Sequence, residues 1–142
     1  MPDKIKHPYT SETFSLLRKF QYRSIHTPHK IEGSEKKLKY PSDTGNRLLQ
    51  IVDEIAEYIE PSAILFHPDL VDDFDWLNSK YGKRLAFENM DSRKNYGADI
   101  KDMKEVFEKS PQAKWVFDVN HLYTVDINMD SAKPFFDSFK NR

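Results

Sequence analysis

Apolar and polar positions divide the chain into short apolar runs and longer amphipathic ones. Leu48, Val52, Ile55 and Ile59 recur at steps of four, three and four, with Leu49, Ile51 and Ala56 widening the stripe, so one face of a helix is apolar. Ser42 or Asp43 is placed to cap that helix, and Pro61 stops it. Ala63 to Phe66 follows at once as a buried strand. The pair of patterns then repeats. Leu70, Phe74 and Leu77 predict a helix capped by Asp69 and running through Tyr81 to a stop at Gly82, and Arg84 to Phe87 predicts a strand. Ile100, Met103, Val106 and Phe107 mark a helix closed by Pro111, and Lys114 to Phe117 a further strand. Upstream, Thr10 caps a short helix ending near Lys19, and Phe20 to His26 alternates as a strand does. Residues 122–130 read as loop, and Ser131 to Phe139 as a last short helix with Pro134 in its first turn, where proline is tolerated.

Short strands separated by helices of ten or so residues imply parallel neighbours joined by right-handed crossovers. The expected class is α/β, about four parallel strands alternating with helices. Nothing interrupts this rhythm, so residues 1–142 read as a single domain.

The chemistry lies where the strands end. A buried strand usually stops in turn residues. Here the four apolar runs stop in His26, His67, Glu88 and Asp118, and His121 follows Asp118 by three. In parallel α/β proteins ligands bind at the carboxyl ends of strands. Neighbouring strands lie ~4.8 Å apart, so side chains from successive ends can converge on one ion. Each residue alone has a structural explanation: a turn histidine, a loop cap, or an aspartate bonding backbone N–H groups before His121. Recurrence on every strand favours a divalent-metal site of His26, His67, Glu88, Asp118 and His121. That nitrogen- and oxygen-rich set suits Zn²⁺, Mn²⁺ or Co²⁺, and Mg²⁺ less well. His7 and His29 fall outside the pattern and read as solvent-facing.

Composition narrows the setting. The 22 basic and 23 acidic residues leave a net charge of -1, so no broad footprint for a nucleic-acid backbone is visible. There is no cysteine, which removes disulfides and thiolate ligands and fits a reducing cytoplasm. The longest apolar runs fall far short of the roughly 20 residues of a membrane span. The polar connection 28–42, with Lys36, Lys37 and Lys39, reads either as a solvated loop or as a cationic lip for a phosphorylated ligand.

Ser24-Ile25-His26-Thr27-Pro28, Leu65-Phe66-His67-Pro68, Leu85-Ala86-Phe87-Glu88-Asn89-Met90 and Phe117-Asp118-Val119-Asn120-His121 together resemble the strand ends of the xylose-isomerase-like TIM barrels. That superfamily includes sugar and sugar-phosphate isomerases and epimerases and the endonuclease IV type of abasic-site nuclease. The resemblance spans about Phe20 to Phe139 and covers strands two to five, a partial TIM barrel. It implies that His26, His67, Glu88 and Asp118 are metal ligands and His121 a ligand or substrate contact, with Glu88 also a candidate proton carrier in catalysis. The implied activity is metal-dependent isomerisation or epimerisation of a sugar or sugar phosphate. The alternatives are phosphodiester cleavage at abasic DNA sites and a non-catalytic metal-binding half barrel. A half barrel so implied is open to closure by self-association, by pairing with a separately encoded second half barrel or by further units of a longer gene product, or is an inactive remnant.

Overall fold

The computed structural model describes residues 9–31, 33 and 38–142. His7, Lys36 and Lys37 lie outside them, so the lysine run of the 28–42 connection is represented by Lys39 alone. The elements run α1 (Ser11–Leu17), β1 (Ser24–His26), α2 (Asp43–Ile59), β2 (Ala63–Phe66), α3 (Phe74–Tyr81), β3 (Leu85–Glu88), α4 (Ile100–Lys109), β4 (Lys114–Val116), α5 (Val119–Val125) and α6 (Ala132–Phe139), with 3₁₀ turns at Pro68–Leu70 and Gly82–Arg84. The strands form a single parallel sheet in the order β1-β2-β3-β4, with Ile25, Ile64 and Leu85 in register and Phe87 level with Trp115. A sequential all-parallel order with right-handed crossovers places every crossover helix on one face, as in a barrel wall.

Two side-chain sets follow from the two-residue strand period. Ile64, Phe66, Leu85 and Phe87 are buried on the helix side, where Phe66 meets Tyr40 and Tyr81, and Phe87 meets Phe74. Trp115 continues this layer at β4, packed among Phe117, Phe135 and Phe139 with ring centroids 4.9–5.8 Å away. The alternate set, His26, Leu65, Ala86 and Lys114, faces the other way at one level of the sheet. Lys114 reaches back to the carbonyl of Ser62, so its stem crosses this second face.

Three local expectations shift. The strand pattern from Phe20 yields strand only from Ser24, and Phe20 and Tyr22 are exposed; among the described residues, backbone bonding to the segment of β2 begins only at Arg23, whose carbonyl accepts the Ser62 N–H at 2.8 Å. The helix expected from Asp69 begins at Phe74 instead. Pro68–Leu70 closes as a 3₁₀ turn, and Asp73 caps α3 by accepting the Trp76 N–H at 2.8 Å. The loop expected at 122–130 begins as helix: α5 starts at Val119, with Asp118 as its cap. Helix α2 forms as expected, but its buried centre is Leu49, Val52, Ala56 and Ile59, with Leu48, Ile51 and Ile55 at the margins. Among the described residues no helix is long and apolar enough to cross a membrane.

Candidate metal centre at the strand ends

The carboxyl ends of the four strands open into one cavity of about 860 Å³, lined among others by His26, His67, Glu88, Asp118 and His121. All five residues singled out from the sequence therefore share one site. Glu88 is its centre. The side chain is 5% exposed, and its Oε1 accepts from His67 Nε2 at 2.7 Å and lies 2.9 Å from His26 Nε2; the two imidazole nitrogens are 3.3 Å apart. One ligating atom each of Glu88, Asp118 and His121 also lie within 4.8 Å of one another.

Backbone carbonyls fix the rings. His26 Nδ1–H donates to Thr27 O and His121 Nδ1–H to Asn89 O, each at 2.8 Å. A carbonyl only accepts, so each Nδ1 carries a proton and each Nε2 is turned toward the cavity, the orientation of a ligating histidine. Thr27 is itself locked, its N–H and hydroxyl both donating to Leu65 O. Asn89, fully buried, joins the ends of β3 and β4. Its Nδ2 donates to Asp118 O, its Oδ1 accepts from Asp118 N–H, and its own carbonyl holds His121.

With its Nδ1 proton committed to Thr27, His26 can donate to Glu88 only as an imidazolium. Its pKa is accordingly raised, chiefly by the Glu88 hydrogen bond, against the opposing cost of burial. Burial by itself would raise Glu88, but the hydrogen bonds from His26 and His67 outweigh it and hold the carboxyl down at about 2. Either protons or a cation must stand among these acceptors. The spacings of 2.7, 2.9 and 3.3 Å fall near the ~3.0–3.4 Å edges expected between neighbouring ligands at ~2.1 Å from an ion. The donor set fits a divalent metal. His67 Nδ1 is buried and unpartnered on the same ring.

Asp118 has a second task. Its Oδ1 accepts the His121 N–H at 2.8 Å as the cap of α5, which leaves Oδ2 for the site, 3.7 Å from His121 Nδ1. The structural explanation of the Asp-x-x-His spacing is thus correct, and it coexists with the site geometry.

Several residues at the cavity carried no signal in the sequence. His29 lies beside His67, rings stacked at 4.9 Å and 16°, and edge-on to His26 at 6.1 Å. It was expected to face solvent; it is exposed, yet it lines the cavity. Burial and the nearby His67, His26, Lys30 and Lys94 push its pKa down. Asp91, buried, is gripped by the Arg93 guanidinium through two contacts of 2.9 Å, which drives its pKa well below the usual carboxylate range, and lies 4.0 Å from His121 Nε2. Lys30, Lys39, Arg93 and Lys94 also line the cavity, together with Asp69 and Asp91; Lys39, Arg93 and Lys94 are paired with Asp72, Asp91 and Asp69, and of the four only Lys39 belongs to the lysine run expected as a lip. No family model, curated protein or solved structure matches the chain.

Proposed function

We propose that this chain is the metal-binding part of a xylose-isomerase-like barrel that isomerises or epimerises a sugar or sugar phosphate. The observation that carries the reading is the junction of His26 and His67 Nε2 on Glu88 Oε1, reached from three successive strand ends. His26, His67, Glu88, Asp118 and His121 would hold a Zn²⁺, Mn²⁺ or Co²⁺ ion. When bound, such an ion supplies Lewis-acid polarisation of a substrate carbonyl or hydroxyl. Glu88 is ionised throughout the working range and suits charge neutralisation. As a proton acceptor near neutral pH, a carboxylate at about 2 is poorly matched, so the ligand role is favoured over the proton-carrier role. A substrate phosphate would meet Lys39, Arg93 and Lys94 in competition with Asp72, Asp91 and Asp69, to which they are paired.

The second reading, phosphodiester cleavage at an abasic site, draws on the placement of Glu88 between two groups of potential ligands, His26 with His67 and Asp118 with His121. Calorimetric titration with Zn²⁺, Mn²⁺ and Co²⁺ tests the shared premise, with His67→Ala and Asp118→Ala as controls. Wild type binding one of these ions, with both variants weakened, supports it; no binding by wild type overturns it. Deuterium exchange into ketose phosphates then supports the isomerase, and cleavage of an abasic duplex the nuclease. A protein that binds metal but does neither is the non-catalytic half barrel.

A further inference from the structure

The histidine set at the cavity is larger than the strand ends supply. One ligating atom each of His26, His29 and His67 lie within 4.8 Å of one another. His29 does not come from a strand end. It sits two residues beyond Thr27, and the path between is held down: Thr27 is bonded to Leu65 O, and Pro28 O accepts from the Tyr40 hydroxyl at 2.7 Å. Tyr40 is fully buried and itself pinned, its N–H on Leu70 O and its carbonyl on Asp72 N–H, each at 2.8 Å. The backbone that presents His29 is therefore anchored on both sides of Pro28, while the ring itself is exposed and stacks on His67.

We infer that His29 is a third imidazole ligand, completing with His26 and His67 a three-nitrogen site on the β1–β2 side of the cavity. The inference rests on the metal-binding reading above. The nitrogens lie within 4.8 Å of one another and ligands of a tetrahedral ion at ~2.1 Å stand ~3.4 Å apart, so the ring must close by at most roughly 1.4 Å, within reach of a side-chain rotation. Three neutral imidazoles select borderline ions, Zn²⁺ or Co²⁺, over Mg²⁺ or Mn²⁺, and leave further positions for Glu88 or a ligand from the cavity. On the other side of Glu88, Asp118 and His121 make a more oxygen-rich group. The residue dismissed by the strand-end pattern would thus decide which metal the site prefers.

Co²⁺ is the spectroscopic probe, because four-coordinate Co²⁺ absorbs visible light much more strongly than six-coordinate Co²⁺. Wild type, His29→Ala, His67→Ala and Asp91→Ala are titrated with Co²⁺ and then, in separate competitions, with Zn²⁺ and with Mn²⁺. Thermal melts with chelator confirm that the exposed His29→Ala variant stays folded. Supplying a direct ligand, His29 should matter at least as much as an outer-sphere partner, whose loss costs about 10–100-fold in affinity. The inference expects His29→Ala to weaken Co²⁺ by ~100-fold, collapse the visible bands, and lose the preference for Zn²⁺ over Mn²⁺, with Asp91→Ala much closer to wild type. Co²⁺ binding and bands in His29→Ala equal to wild type would overturn it. In that outcome, loss of binding in His67→Ala leaves the metal reading standing. Failure of wild type to bind defeats both.

Discussion

Replacing Glu88 with glutamine tests the electrostatics of the site without any metal. A glutamine amide has nearly the shape of a protonated glutamate, so the Glu88→Gln variant behaves as wild type would with its carboxyl neutral. Holding the carboxyl at about 2 instead of its ordinary 4.5 is worth roughly 3 kcal/mol at ~1.4 kcal/mol per pH unit. The sign follows from linkage. A depressed carboxylate stabilises the fold above about pH 4.5, and that contribution is lost as the pH falls toward 2. His26 works in the opposite sense: its pKa is raised above 6.5, so its contribution is complete below 6.5 and is lost as the pH rises through the raised value. His26 is nearly half exposed, and its share is correspondingly screened. The metal-free protein should be most stable between about pH 4.5 and 6.5 with respect to these two groups. The assay is urea unfolding followed by circular dichroism, in chelator, from pH 2.5 to 8. At pH 5.5 the Glu88→Gln variant should be less stable by roughly 3 kcal/mol, on the order of 10 °C in Tm for a chain of this size. The gap should narrow toward pH 2.5, and the alkaline limb due to His26 should flatten in the variant. A variant equal to or more stable than wild type at pH 5.5 would refute the reasoning, because the cost of burying the charge would then exceed what the two histidines return.

Three further outcomes follow from the geometry. Asp118→Ala removes both the α5 cap and a carboxylate, and should cost about 1 kcal/mol of stability in urea; Asp118→Asn keeps the cap on the His121 N–H and should stay within about 0.5 kcal/mol, while calorimetry shows metal affinity reduced in both. Gly97 has φ +87, and a Cβ there would lie 2.5 Å from Pro68 Cγ, so Gly97→Ala should destabilise by at least ~2 kcal/mol and disturb metal binding through the segment after His67. Phe135 is 1% exposed and lies beside Trp115 and Phe139, so Phe135→Ala should cost about 3–5 kcal/mol and change the Trp115 fluorescence; a change below about 1 kcal/mol would mean that this aromatic layer does not close the sheet at β4.

The apolar pattern alone determined the four strands, the helices other than α5, the parallel arrangement, and the four strand-end residues with His121 three positions beyond the last. These features are legible because strand and helix periods are local, and because parallel topology sends successive carboxyl ends to one side of the sheet. Ser42 and Thr10 were also legible as caps, since a cap needs only an acceptor three residues before an orphan N–H. Element edges were less so. Whether Phe20 to Arg23 is strand depends on a neighbour that sequence does not display, and whether α3 begins at Asp69 or Asp73 depends on the 3₁₀ turn that follows His67-Pro68.

What the tertiary structure decided is the chemistry between those residues. Glu88 and the two histidines it joins are 62 and 21 positions apart, and only the register of β1, β2 and β3 sets their nitrogens against one carboxylate oxygen. Asn89 and Thr27 look like turn residues until their bonds to Asp118, His121 and Leu65 are seen. His29 is the sharpest case. No periodicity marks it, because a loop has none, and its place beside His67 comes from the anchoring of Thr27, Pro28 and Tyr40, contacts made between distant parts of the chain.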